Sequence, residues 1–162
     1  MNDPKALKIR VPKTWVEKVA DVIGIAAIIF MFVYMIWRYS ALPETIPVHF
    51  GANGVVDRYG SKSELIPFPI IGLFIFVLLT ALERYPQAYN YPSRLNETNA
   101  AAFYKNARQL LNYIKNLFAL LFAYCTYVIM NLTGELSFVF WLILASIFVI
   151  IIIGIIKQAK IR

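Results

Sequence analysis

Residues 42–62 read LPETIPVHFGANGVVDRYGSK, and this polar stretch separates two long apolar runs. It contains the only histidine of the chain, together with two prolines and three glycines. Apolar residues alternate at Ile46, Val48 and Phe50, which is typical of a half-buried strand. The Asn53-Gly54 dipeptide that follows is a strong β-hairpin signal. Because long connections with this much local order are more often functional than passive, this loop is the first candidate for a functional site.

Two registers of the hairpin fit the pattern. A two-residue loop pairs His49 with Arg58 and Phe50 with Asp57. A three-residue loop that ends on a left-handed glycine pairs His49 with Asp57 and Phe50 with Val56. The three-residue loop is favoured, because it places the apolar residues of both strands on one face.

The favoured register places His49 beside Asp57 on the solvent face. One interpretation is that this pair only ties the two strands together by hydrogen bonds. Another is a pH-responsive element, because a neighbouring carboxylate favours a protonated imidazole. Glu44, Asp57 and Glu64 are candidate metal ligands beside the single histidine, but zinc sites use more His or Cys. We therefore expect no metal and no cofactor.

Catalytic motifs do not occur in the sequence. Ser-x-x-Lys, His-Glu-x-x-His and glycine-rich phosphate loops are all missing from it. A lone histidine beside an acid is weak support for acid–base catalysis. We expect the protein not to be an enzyme, and catalytic residues are therefore not assigned.

The overall composition is that of a membrane protein. Of the 162 residues, 60% are hydrophobic and 15% are charged, and the mean hydropathy is +0.64. Soluble domains carry roughly 25% charged residues. The net charge of +7 does not indicate nucleic-acid binding, because the basic residues flank apolar runs instead of forming a stripe on a polar surface. The single Cys125 cannot form an internal disulfide and is expected to be a packing residue.

Four apolar segments have the roughly 20 residues that a membrane span needs. We therefore expect an all-α membrane protein with four transmembrane helices and an ordered extracytoplasmic loop between the first two. The predicted spans are 19–37, 65–82, 110–132 and 136–156, and the predicted outer loop is 39–64. Ser61 and Glu64 fit a capping box before the second span, with a helix start near Ile66. Ala20 and Gly24 form a small-xxx-small pair that lets another helix approach.

The segment 83–109 between the second and third spans is polar and basic. Asn96 is the predicted N-cap of an interfacial helix that begins at Glu97 and continues into the third span. Asp21, at the edge of the first span, is interpreted as an interfacial acid near a helix N-terminus, with a buried functional carboxylate as the alternative. Otherwise the spans are expected to carry almost no ionisable residues, which argues against a transport path.

The distribution of lysine and arginine predicts the orientation in the membrane. Segments 1–18, 83–115 and 157–162 hold five, five and three of the sixteen basic residues. The positive-inside rule places these segments, and with them both termini, in the cytoplasm. The tails 1–18 and 157–162 are then basic cytoplasmic tails, and the outer loop faces away from the cytoplasm.

The central loop resembles a known family signature. Its motif is Leu42-Pro43-x-x-Ile46-Pro47-x-His49-Phe50-x-x-x-Gly54-x-x-Asp57, followed by Gly60-Ser61-Lys62. This is similar to the signature of bacterial membrane proteins in the domain-of-unknown-function 1648 family. A second block resembles the family after the second span: Asn90-Tyr91-Pro92, Asn99-Ala100, Tyr104 and Ala107-Arg108. The resemblance defines a family-like unit over 19–115, followed by the last two spans over 110–156. Gly51 departs from the family, which usually carries Asn at this position.

The resemblance implies a multi-pass protein of the bacterial plasma membrane. The same domain forms the N-terminal part of SdpI-type immunity proteins. Those proteins protect a cell against a secreted membrane-active toxin peptide, and they can also sequester a transcriptional repressor at the membrane. By resemblance, the chain is expected to serve in immunity or sensing. A small transporter or channel subunit and a structural accessory subunit of a membrane complex are the alternatives.

Two candidate sites follow from the motifs. The first would bind an extracytoplasmic peptide and comprises Pro43, Pro47, His49, Phe50, Gly54, Asp57 and Lys62. The second would dock a cytoplasmic protein partner and comprises Asn90, Tyr91, Pro92, Asn99, Tyr104 and Arg108. Ordinary interfacial structure is the alternative for the second set, and Arg94, Lys105 and Arg108 are expected to meet lipid headgroups. The spans are expected to lie in a lipid bilayer. The sequence leaves open whether the protein forms a homo-oligomer.

Overall fold

Four long helices and one β-hairpin make up the described part of the chain. The computed structural model describes residues 9–162. The helices are α1 (Trp15–Arg38), α2 (Pro67–Leu82), α3 (Ala100–Met130) and α4 (Phe138–Lys160). The hairpin consists of β1 (Thr45–Phe50) and β2 (Val56–Ser61), between α1 and α2. Short 3-10 helices span Tyr39–Ala41, Lys62–Leu65 and Pro86–Ala88.

All four helices are long and apolar enough to cross a membrane, which confirms the predicted four-span fold. We call the end of the bundle that carries the hairpin the hairpin end. The opposite end, where the chain enters at Ile9 and leaves after α4, is called the terminal end. Of the predicted tail 1–18, residues 1–8 lie outside the described residues, and α1 begins inside the tail, at Trp15.

Side chains satisfy free backbone N–H groups at the starts of α1, of α4 and of the 3-10 helix before α2. At α1 the Thr14 hydroxyl accepts from the Glu17 N–H, while the Glu17 carboxylate accepts from the Thr14 N–H. The predicted capping box of Ser61 and Glu64 is present, on the 3-10 helix that leads into α2. Pro67 then occupies the first position of α2, where its missing N–H costs nothing.

Helix α3 is the centre of the bundle and packs against each of the other three helices. Its 31 residues form one continuous helix that runs into the third span, as predicted, but it begins at Ala100 and not at the predicted Glu97. Asn96 instead caps the turn before α3, accepting from the Thr98 and Asn99 N–H groups. The first turns of α3 are covered by protein, since Phe103 is fully buried against the preceding segment.

Three apolar clusters follow one another along the bundle. The cluster at the terminal end contains Leu95, Ala100, Phe103 and Tyr104. The middle cluster joins α1 and α3 through Ala27, Ile28, Met31, Ala119 and Ala123. The cluster at the hairpin end contains Leu42, Ile46, Leu65, Ile129 and Met130. Because Ile46 of β1 belongs to this last cluster, the hairpin is part of the packed structure.

Candidate functional sites at the two ends of the bundle

The hairpin adopts a variant of the favoured register. Phe50 lies opposite Val56, and Gly54 is left-handed with φ of +80°, as the three-residue loop predicts. The predicted backbone pairing of His49 with Asp57 is wrong, because His49 lies opposite Arg58. The ladder is irregular on both sides of His49, and Asp57 is an extra residue on β2 at that point.

The side chains of His49 and Asp57 nevertheless meet. His49 Nδ1 lies 2.5 Å from Asp57 Oδ1, and both side chains are more than half exposed. The pair is therefore accessible to a molecule outside the hairpin. The apolar face of β1 points the other way, with Ile46 buried and Val48 and Phe50 partly buried.

The hairpin is held at its base and at its tip. At the base, the Lys62 N–H donates to the Glu44 carbonyl at 3.0 Å, and Lys62 Nζ lies 2.9 Å from the Glu44 carboxylate. At the tip, the connection between α3 and α4 continues the ladder, since Val56 donates to the Gly134 carbonyl at 2.9 Å and Leu136 to the Gly54 carbonyl at 2.7 Å. The hairpin therefore has a fixed position over the helix ends.

A groove of about 470 Å³ lies between the hairpin and the ends of three helices; we call it the hairpin groove. The lining residues of the hairpin are Val48, His49, Phe50, Gly51 and Ala52. The helices α2 and α3 contribute Phe68, Cys125 and Ile129, and the start of α4 with the connection before it contributes Leu136, Phe140 and Trp141. Apart from the imidazole and the thiol, the side chains of this lining are apolar. The groove can therefore accept apolar groups, with the His49–Asp57 pair at its edge.

The predicted ligand-binding residues divide into three groups. His49 and Phe50 line the groove, and Asp57 joins them through His49. Gly54 and Lys62 hold the hairpin in shape, by the left-handed turn and by the clasp to Glu44. Pro47 is buried and Pro43 is exposed outside the groove. The structure therefore brings three of the seven together at one place.

At the terminal end, six charged side chains form a largely buried cluster that we call the ion cluster. Three are acids, three are bases, and they come from α1, α3, the segment before α1 and the residue after α2. They are Lys13, Glu17, Asp21, Glu83, Arg108 and Lys115. Equal numbers of each sign make the cluster electrically neutral, which is the condition for keeping charges away from water.

The innermost pair of the ion cluster is Glu17 with Arg108. The guanidinium donates to Glu17 Oε1 from Nε at 3.0 Å and to Glu17 Oε2 from Nη2 at 2.9 Å. Their side chains are 0% and 4% exposed. Arg108 also donates to the carbonyls of Val11 and Pro12, so one arginine of α3 fixes both the start of α1 and the segment before it.

The other four charges alternate in sign around a ring. Lys13 lies 2.6 Å from Asp21 and 2.5 Å from Glu83, and Lys115 lies 2.8 Å and 2.7 Å from the same two carboxylates. Asn112 donates to Asp21 at 2.7 Å. Burial alone would lower the pKa of Lys13, but its hydrogen bonds and charge contacts with Asp21 and Glu83 outweigh burial and raise the pKa.

The ion cluster adds to two expectations from the sequence. Asp21, interpreted as an interfacial acid near a helix N-terminus, is contacted by two lysines and two asparagine amides. The predicted spans contain few ionisable residues, but α1 and α3 extend beyond them at the terminal end, where Glu17 is buried against Arg108. A polar stripe at 108, 112, 115 and 116 along α3 is the signal that could have revealed the ion cluster, because these positions share one helix face.

The predicted docking set does not form a continuous surface. Asn99, Tyr104 and Arg108 are buried. The Tyr91 ring packs against Tyr104, and its hydroxyl donates to the Pro86 carbonyl at 2.7 Å. Asn90 is exposed, and Tyr91 and Pro92 are half-buried, so a partner could reach the three buried members of the set only after the segment opened.

Two of the three arginine and lysine side chains expected at lipid headgroups are engaged elsewhere. Arg108 belongs to the ion cluster. Arg94 donates to the Gln158 and Ile161 carbonyls at 2.8 and 3.2 Å, where it caps the end of α4. Within residues 9–162, Lys105 is exposed and its side chain makes no ion pair or hydrogen bond, which leaves it available to headgroups.

Four helices that can span a membrane, with a clasped hairpin between the first two, define a multi-pass membrane protein. Residues 26–73 match the model of the family described as Domain of unknown function (DUF1648). The matched stretch runs from α1 through the hairpin into α2, so it includes the hairpin and excludes every member of the ion cluster.

A relative with no assigned activity shares part of the chain. An uncharacterized protein of Archaeoglobus fulgidus is 39% identical over 79 residues, which amount to 44% of this chain and 43% of that protein. The match thus spans less than half the length of the relative. No solved structure matches the chain.

Proposed function

We propose that this protein recognises a peptide at the membrane surface through the hairpin groove, in an immunity or sensing role. The observation that carries the proposal is the groove itself, an apolar space of about 470 Å³ beneath a hairpin that is fixed at base and tip. A preformed apolar cleft with few polar groups at its edge is the usual form of a binding site. The immunity or sensing role is inferred from the resemblance of the sequence to immunity proteins.

The chemistry around the groove favours a ligand that is apolar with a basic group. Phe50, Phe68 and Trp141 offer aromatic surface to an apolar side chain. Glu135, beside the lining residue Leu136, is exposed and has no ion pair within residues 9–162. A cationic group on the ligand could pair with this carboxylate, or with the half-exposed Asp57, at the edge of the groove.

Gly51 adds to the accessibility of Asp57. A Cβ atom at this position would lie 3.1 Å from Asp57 Oδ2 and 3.1 Å from the Asn53 side-chain oxygen. The asparagine that the family usually carries would therefore crowd the carboxylate. With glycine, the Asp57 carboxylate keeps a free approach, and we propose that this chain prefers a ligand with a basic group for that reason.

We place the hairpin end outside the cytoplasm of a prokaryotic plasma membrane, with both termini inside. The support is the concentration of lysine and arginine at the terminal end. A secreted peptide would then meet the hairpin groove from the outer surface. We also propose that the protein acts by binding and not by catalysis.

The test combines growth with labelling. A sensitive host expresses the wild type, Trp141→Ala, or Trp37→Ala as a control with an aromatic loss outside the groove. Each strain is challenged with a panel of secreted amphipathic cationic peptides. We expect the wild type and the control to raise the inhibitory concentration of one peptide several-fold, and Trp141→Ala not to.

Cys125 gives a direct measure of binding, because it is the only cysteine and lines the groove. In nanodiscs, the protective peptide should slow the reaction of this thiol with an apolar maleimide, and Cys125→Ala provides the blank. If no peptide changes survival or labelling, the proposal is wrong.

A second candidate is an ion-coupled transporter subunit, and the ion cluster is the observation that favours it. Against it, the layer next to the cluster is apolar, with Ala27, Met31 and Ala123 buried between the cluster and the hairpin end. Reconstituted liposomes would decide: a proton or cation flux abolished by Asp21→Asn and retained by Glu64→Gln would support transport.

A further inference from the structure

A second cavity opens beside the ion cluster at the terminal end and has a volume of about 510 Å³. It lies among the segment before α1, the segment after α2 and α3. The lining residues with charge are Arg10, Lys13, Glu83, Arg84 and Arg108. Four of these five are cations, so the cavity differs sharply from the apolar hairpin groove.

Two of the arginines that line this cavity have no acidic partner. Lys13, Arg108 and Glu83 are neutralised inside the ion cluster, where acids and bases are equal in number. Arg10 and Arg84 are exposed, and within residues 9–162 their side chains make no ion pair or hydrogen bond. The cavity therefore presents two free guanidinium groups, with Lys13 at their inner side.

The position of the cavity fits the headgroup layer of a membrane. Trp15 begins α1 and is 77% exposed, and Tyr85 follows α2 and is 56% exposed. Tryptophan and tyrosine are enriched where the apolar core of a membrane meets its headgroups. Leu82, the last residue of α2, is also exposed, so apolar surface lies next to the cations.

We propose that this cavity binds the phosphate of an anionic phospholipid, with Arg10 and Arg84 as its direct contacts. Guanidinium groups bind phosphate oxygens through paired N–H donors, and basic pockets beside membrane helices bind anionic headgroups. The exposed apolar surface of α2 receives the acyl chains. The carboxylate of Glu83 does not repel the phosphate, because two lysines already neutralise it at 2.5 and 2.7 Å. This inference is independent of the role proposed for the hairpin groove.

Native mass spectrometry of the full chain, released from nanodiscs of phosphatidylcholine with one-fifth phosphatidylglycerol, tests the proposal. The measured quantity is the ratio of phosphatidylglycerol to phosphatidylcholine that remains bound. Arg10→Gln/Arg84→Gln is compared with Lys160→Gln/Arg162→Gln, which removes the same charge from exposed sites outside the cavity. Each cation near a membrane surface raises the affinity for anionic lipid by about fivefold, so the loss of two cations should lower the phosphatidylglycerol preference about 25-fold. The control should keep it.

Two results would overturn the proposal. One is a cavity variant that retains the wild-type preference, and the other is a control that loses as much as the cavity variant. Thermal unfolding in detergent should be the same for both, because neither pair of residues makes a contact that stabilises the fold. A third arm adds millimolar inorganic phosphate: displacement of phosphatidylglycerol would assign the site to a soluble anion instead of a lipid.

Discussion

Replacing Arg108 by methionine is expected to lower the free energy of unfolding by about 3–5 kcal/mol. The guanidinium reaches both oxygens of Glu17 at 2.9–3.0 Å, and neither side chain has access to water. When one partner of a buried pair is removed, the other charge stays buried without compensation, and this produces a loss of about that size. The bonds from Arg108 to the Val11 and Pro12 carbonyls are lost as well.

The reciprocal change separates charge from packing. Glu17→Gln keeps the side-chain volume and the capping contact with Thr14, but it leaves Arg108 without a counter-charge, so a similar loss is expected. The double variant Glu17→Gln/Arg108→Met removes both charges. It should cost less than the sum of the two single changes, because a buried pair is worth little more than apolar groups of the same shape.

Reversible unfolding in mixed micelles, followed by circular dichroism as the fraction of denaturing detergent rises, gives these free energies. Arg58→Met is the matched control, because it breaks the half-exposed pair with Glu64 at 2.9 Å on the hairpin. Exposed pairs of that kind contribute little to stability. Equal losses for Arg108→Met and Arg58→Met, or strict additivity in the double variant, would refute the reasoning.

Gly24, Gly54 and Lys13 each give a further prediction. Gly24→Ala should weaken the contact of α1 with α3, because the new Cβ would collide with the Asn116 amide, whereas Gly134→Ala meets nothing within 4 Å and should be neutral in the same unfolding assay. Gly54→Ala should cost about 1–2 kcal/mol, because its φ of +80° is strained for a side chain; an unchanged free energy would contradict this. The raised pKa of Lys13 means that its stabilising contribution is complete below the pKa of an unfolded lysine and is lost as pH rises through the higher folded pKa. Amine-reactive labelling followed by mass spectrometry at pH 9–10 should therefore find it slower to react than the exposed lysines of the C-terminal tail.

The sequence predicted the parts of the fold that depend on local signals. Span length and hydropathy located four helices, and alternation with Asn53-Gly54 located the hairpin and its left-handed glycine. The predicted helix bounds differ from those of the structure where a local sequence signal competes with packing. Helix α3 begins at Ala100 and not at Glu97, and its first turns, expected at the membrane interface, are buried by Ile9, Val11 and Ile161, which are distant in sequence.

The ion cluster could not be assembled from the sequence because its members are distant along the chain. Glu17 and Arg108 are separated by 91 positions, and a pairing at that distance depends on which helices are neighbours. The hairpin irregularity was missed for a related reason. The bond between Val56 and Gly134 ties the tip to the α3–α4 connection, and the two strands alone do not contain that information.

The ion cluster and the hairpin clasp together set the relative positions of the helices. In a membrane, apolar side chains pack as well against lipid as against another helix, so apolar surface alone does not fix how two helices align. Here α4 and α2 expose mostly apolar surface, and alignment at the terminal end is fixed by Arg108 with Glu17 and by Lys115 with Asp21. At the other end the backbone bonds of Val56 and Leu136 do the same for the hairpin and α4. Because α3 carries Arg108 and Lys115 at one end and Cys125 and Ile129 at the other, the charges that align α3 with α1 also fix the floor of the hairpin groove.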